Sequence, residues 1–79
     1  MKILNVGYDN YVAIEKVIAV VNPDSAPVKR LINQSQKSGF LVDATQGHKT
    51  RSVIVTESRH VVLSALNSNS ISERIKKKE

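Results

Sequence analysis

The sequence predicts a small α+β domain with a mostly antiparallel sheet, in the order β-β-α-β-β-β-α. Three observations predict it. The apolar 41% of the 79 residues is mostly Val and Ile, which favour pleated, half-buried surfaces. One stretch carries both the start and the stop signals of an amphipathic helix. The other apolar runs are short and separated by Gly, Asn and Ser turns.

The elements follow in order. "KILNV" (2–6) is a strand, and "GYDN" (7–10) is a turn by composition, since Gly and Asn tolerate positive φ. "YVAIEKVIAVV" (11–21) has a weak helical spacing at Val17, Val20 and Val21. Its six β-branched residues in eleven favour one long strand, paired with 2–6 as a hairpin. Lys16 then faces solvent from that strand. In "NPDSAP" (22–27), Asp24 or Ser25 caps a helix and Pro27 sits in its first turn. The helix runs "VKRLINQSQKS", with Val28, Leu31 and Ile32 on one stripe and Lys29, Arg30 and Lys37 off it. Gly39 stops it in a left-handed cap. "FLVDA" (40–44), "SVIVT" (52–56) and "VVLSAL" (61–66) are strands, the last two joined by the hairpin loop "ESRH". "NSNS" (67–70) caps a short final helix, "ISERIKKK". The organisation is one domain over 1–68 and a short basic helix or tail over 69–79.

A chain of this length buries only about 60% of its unfolded surface, so its own core is marginal. It has no cysteine, hence neither a disulfide framework nor a thiolate metal site. Its strands hold more Val and Ile than one amphipathic helix and a tail helix can cover. Self-association is therefore expected, and a closed ring uses a head-to-tail contact without growing a fibre. The longest apolar run, "VIAVV", is far shorter than the ~20 residues of a membrane span. No signal-peptide core follows Lys2. The expectation is a cytoplasmic protein with no membrane partner.

The formal net charge is +5. Residues 71–79 contribute +2 of it through Arg74, Lys76, Lys77 and Lys78 against Glu73 and Glu79, and the body supplies the remaining +3. A basic tail is ordinarily a solvated end. A basic body points to a polyanion, most often nucleic acid.

Catalysis has little to stand on. His48, His60 and Asp43 are conceivable metal ligands, but their spacing matches no short ligand motif. "GHKT" (47–50) departs from a phosphate loop, because His48 separates the glycine from the lysine and residue 42 is Val. The serines cluster in caps and turns. The reading is a non-enzyme without metal, cofactor or small-molecule substrate.

"DATQGHKTRS" (43–52) carries the densest mid-chain group of basic side chains, His48, Lys49 and Arg51, between two strand candidates. Read as a turn near Gly47, it projects those side chains from one end of the sheet. Two strands then limit the entropy lost on contact with phosphate. A solvated polar turn is the plain alternative. Lys16, Lys29, Arg30 and Lys37 give the loop basic company, which favours the phosphate reading. No aromatic interleaves the loop cations in the sequence. That argues against stacking on single strands and for backbone contacts to duplex DNA.

"NVGYDN", "VNPDSAPVKRLI" and "LVDATQGHKTRSVIV" resemble the RemA family of small bacterial regulators of extracellular-matrix (biofilm) genes. The likeness runs from about residue 3 to residue 66. It implies a DNA-binding transcriptional activator whose subunits assemble into a ring. It also implies DNA contacts at Lys16, His48 and Lys49, three positions where the family carries arginine. Lysine keeps the charge but loses the bidentate fork, and a histidine's charge is not fixed at neutral pH. Arg51 remains a fixed cation beside them. A weakened site and a site that has lost specific binding both fit these replacements. A ring-forming scaffold for a protein partner or RNA, with the loop merely solvated, is the competing class.

Overall fold

The structure is a computed structural model that describes residues 2–78, with Lys78 described in its backbone alone. Its strands are β1 (Ile3–Gly7), β2 (Asn10–Ala13), β3 (Val17–Val21), β4 (Leu41–Asp43), β5 (Ser52–Thr56) and β6 (Val61–Ser64). Its helices are α1 (Ala26–Ser38) and α2 (Ser68–Lys78). β1 and β2 form an antiparallel hairpin. The other four strands form one sheet in the order β3-β5-β6-β4.

That sheet is the middle of three layers. Alternation along β5 and β6 divides their side chains between two faces. Val53, Val61 and Leu63 face α1, where they meet Val28, Leu31 and Ile32. Ile54 and Val62 face the other way, onto Leu4 and Val6 of the hairpin and Ile71 of α2. Both faces are covered, so four of the five residues of β5 and all four of β6 are buried. The predicted surplus of Val and Ile is thus largely absorbed within one chain. Apolar exposure persists at the margins, as at Ile18 (65% exposed) and Val42 (45%), one on each edge strand of the sheet.

Two sequence expectations are corrected. The single strand over 11–21 is two strands separated by a 3₁₀ turn, Ile14–Lys16. The reason is layering: β2 belongs to the hairpin and β3 to the sheet, so the chain must change layer between them. Ile14 packs on the core during the crossing, and its N–H donates to the Lys2 carbonyl at 3.1 Å. Lys16 is therefore on this turn and not on a strand. The order becomes β-β-β-α-β-β-β-α. The second correction concerns residues 40–45 and 52–56, which read as two strands joined by a tight turn. β6 lies between β4 and β5, and β4 runs parallel to β6. Three of the four strand pairings are antiparallel, so the sheet itself is mixed.

The helix signals are read correctly. The Ser25 hydroxyl accepts from the Val28 N–H, and Gly39 closes α1 at φ 83°. α1 begins two residues before the predicted start, with Pro27 in its first turn. α2 begins at Ser68, three residues before the predicted start at Ile71, and Asn67 Oδ1 accepts from the Ser70 N–H at 2.8 Å.

Two buried serines fasten one end of the sheet. Ser64 Oγ donates to the Val6 carbonyl at 2.7 Å, tying β6 to the hairpin. The Ser64 carbonyl accepts from the Arg51 N–H at 2.8 Å. Ser52 Oγ donates to the Leu66 carbonyl at 2.7 Å, fixing the approach to α2.

α2 is part of the core, because Ile71 is fully buried. Truncating a buried Ile to Ala removes apolar contact and leaves a cavity. Ile71→Ala should therefore lower unfolding free energy by about 2–5 kcal/mol in denaturant titration. A loss below about 0.5 kcal/mol would mean that α2 is a tail resting on a self-sufficient domain.

Candidate nucleic-acid interface

Residues 44–51 connect β4 to β5 by crossing the C-terminal end of β6. Both flanks are anchored there: the Ala44 N–H donates to the Leu63 carbonyl at 3.0 Å, and the Arg51 N–H donates to that of Ser64 at 2.8 Å. The loop begins with an Asp-initiated turn. Asp43 Oδ1 accepts from both the Thr45 N–H (2.9 Å) and its hydroxyl (2.6 Å). Ala44 and Thr45 are buried, so the base of the loop is fixed. Gln46 (φ 53°) and Gly47 (φ 81°) then reverse the chain in successive left-handed conformations. The His48 N–H closes the turn on the Thr45 carbonyl at 3.0 Å. His48, Lys49 and Arg51 follow, all exposed.

The sheet register decides which predicted residues share this end. Val21 pairs with Val53, so β3 finishes beside the start of β5. α1 begins just beyond it, which brings the turn bearing Lys29 and Arg30 to the loop's end of the sheet. Those two cations sit on the α1 layer, and both are exposed. Lys16 is elsewhere. Val17 pairs with Thr56, at the opposite end of β5, about 13 Å away at the usual rise per residue. Lys16 Nζ there donates to Glu57 Oε1 at 2.9 Å, and that hydrogen bond, then the carboxylate's charge, raises the lysine's pKa. Lys37, near the end of α1, is at the Lys16 end too. One subunit therefore does not gather Lys16 with His48, Lys49 and Arg51.

Among the described residues the ion pairs are Lys16–Glu57 and Lys76–Glu73. Neither engages the loop. No group of three or more His, Asp or Glu residues that could hold a metal occurs among the described residues. His48 and His60 are in separate settings: His60 Nδ1 lies 2.7 Å from Ser58 Oγ, with its ring edge-on to Phe40. No described helix is long and apolar enough to cross a membrane.

No aromatic interleaves the loop cations in the sequence, but the fold brings one to them. Tyr8, forty positions away, stacks on His48 with ring centroids 5.1 Å apart and planes 10° from parallel. The Val6–Ser64 bond holds the hairpin tip over the loop, a long-range placement that linear spacing could not reveal. Tyr8 and Asp9 both take left-handed backbone (φ 54° and 61°). Such a pair matches the twist of a two-residue hairpin turn. For a bulky residue like Tyr it costs on the order of 1 kcal/mol. Asn5 and Asn10 secure the tip: Asn5 Oδ1 accepts from the Gly7 N–H at 2.7 Å, and Asn10 Nδ2 donates to the Gly7 carbonyl at 3.0 Å.

Asp43 reports on the loop's anchor. The Thr45 hydroxyl, and then the Thr45 N–H, hold its carboxyl below the ordinary value of 3.8. A depressed folded-state pKa adds stability above the unfolded value, lost as pH falls through the folded one. Carbon-detected NMR should find Asp43 titrating below its ordinary value, and Thr45→Val should move it upward. An Asp43 titration at 3.8 in both proteins would show that this turn does not hold the loop.

The chain matches the RemA-like family, described as "Extracellular matrix regulatory protein A-like", over residues 3–75. The match reaches into α2, beyond the motifs quoted above. A protein of Oleidesulfovibrio alaskensis is 51% identical over 78 residues, covering 99% of this chain and 93% of the relative. One from Desulfosudis oleivorans is 57% identical over 72 residues (91% and 74%), and one from Acetivibrio thermocellus 44% over 79 (100% and 85%). Each carries the name "Putative regulatory protein". By this match along almost its whole length, the chain belongs to the RemA-like family of regulatory proteins.

Proposed function

We propose that the protein regulates transcription by binding duplex DNA through residues 44–51, with Lys29 and Arg30 contributing from α1, and that it activates extracellular-matrix genes. The carrying observation is the anchored loop that presents His48, Lys49 and Arg51 exposed at one end of the sheet, outside both ion pairs of the described residues. Fixed backbone under free cations suits phosphate contacts, which position a protein on DNA without reading its sequence.

Self-association completes this reading. A patch of about three cations releases few counterions, so a lone subunit binds weakly and with a shallow salt dependence. Repetition of the patch converts later contacts into intramolecular ones. The open edges β3 and β4, with Ile18 and Val42 exposed beside them, supply two different surfaces for a head-to-tail contact. Such a contact closed into a ring offers each loop at a fixed spacing. It is also the means by which the Lys16 end of one subunit approaches the loop end of another.

The test is Lys49→Ala combined with Arg51→Ala, titrated onto duplex DNA at several salt concentrations with light scattering on the same samples. Affinity should fall at least tenfold and the salt dependence should flatten, because fewer counterions are released. Both proteins should scatter as several times the 8.7 kDa of one chain before DNA is added. Unchanged affinity in the double variant would remove the loop from the interface. A monomeric parent that binds tightly at ~0.15 M salt would remove the need for repetition.

A further inference from the structure

Tyr8 and His48 form a stack that core packing does not require. Tyr8 remains 50% exposed although His48 covers one face of its ring, and His48 is exposed as well. Two left-handed turns, at Tyr8–Asp9 and Gln46–Gly47, hold the rings face to face. Side-chain and backbone hydrogen bonds fix both turns. A flat, half-open aromatic surface is thus pre-positioned on His48, the residue before Lys49.

A nucleobase has a π-face of matching size, and stacking on an aromatic side chain tolerates any base. In an intact duplex both faces of each base are covered by neighbours. An unpaired base has faces to offer. We propose that the outer face of Tyr8, backed by His48, is a stacking site for an unpaired nucleobase of DNA whose phosphates are held by Lys49 and Arg51. This rests on the DNA-binding reading above and adds to it a preference for opened over fully paired DNA. Phosphate contacts hold either form; the stack rewards only the opened one. His48 acts as a positioning residue, holding the Tyr8 ring at a fixed tilt from behind.

The experiment compares a perfect 30-base-pair duplex with the same duplex carrying a short central mismatch bubble, by fluorescence anisotropy on the full-length protein. The parent should bind the bubble at least fivefold more tightly. Tyr8→Asn removes the ring while keeping a residue that tolerates left-handed backbone. It should abolish the preference and leave perfect-duplex affinity within about twofold of the parent. Because the chain has no tryptophan, Tyr8→Trp makes residue 8 the sole indole. Its emission should be quenched by the bubble DNA and much less by the duplex, while the preference survives. Equal parental affinity for the two DNAs, or equal losses on both in Tyr8→Asn, would overturn the stacking site and leave the duplex reading standing. A parent that binds neither DNA would overturn both.

Discussion

Ser64 joins three parts of the chain at one buried point. Its hydroxyl donates to Val6 of the hairpin and accepts the Leu66 N–H at 3.1 Å, while its carbonyl accepts the Arg51 N–H. The residue is completely inaccessible to water. Without it the Val6 carbonyl would be a buried polar group without a partner, at a cost of about 1–3 kcal/mol. Ser52, its register partner on β5, adds the bond to Leu66. The hairpin, the basic loop and the lead into α2 therefore meet at the end of β6. A valine at 64, good for strand propensity, would keep β6 and loose the hydroxyl's bonds to all that surrounds it.

The consequence for function is spatial. The hairpin tip and the 44–51 loop originate almost forty residues apart, yet both are fixed over the same strand end. That gives the loop cations a stable base and an aromatic neighbour. It also assigns Lys16 to the other end of the sheet, in a pair with Glu57. The family resemblance implies, as an expectation, one DNA interface for Lys16 and the loop. Within one subunit the sheet separates them, so a common interface needs either a long DNA path or a second subunit whose opposite end comes alongside. A head-to-tail assembly satisfies this by construction.

Local signals in the sequence were the dependable ones. Ser25, Pro27 and Gly39 delimit α1 through capping chemistry that acts within one turn, and both caps are predicted from the residues, with the helix starting two positions earlier than its apolar stripe suggests. The hairpins at 7–10 and 57–60 are equally local. What escaped was non-local. Six of the eleven residues in the run 11–21 are β-branched, and its apolar pattern does not mark the change of layer at Ile14–Lys16. Glu15 and Lys16 are the only polar residues inside it, and they lie on the turn. That polar pair is the one signal for the break. The insertion of β6 between β4 and β5 depends on long-range pairing, which adjacency in sequence misrepresents. The site followed the same division. Exposed cations at 48, 49 and 51 were legible as a cluster. Their remoteness from Lys16 and their nearness to Tyr8 both follow from strand order and from Ser64.

The central claim is that the loop end of the sheet is the surface that meets DNA. Lysine acetylation footprinting, read by mass spectrometry with and without a long duplex, tests it one side chain at a time. Lys49 and Lys29 should become strongly protected when DNA is bound, while Lys76 and Lys77 on the exposed side of α2 should react as before. Protection confined to the α2 lysines, with Lys49 reacting equally in both samples, would contradict the account.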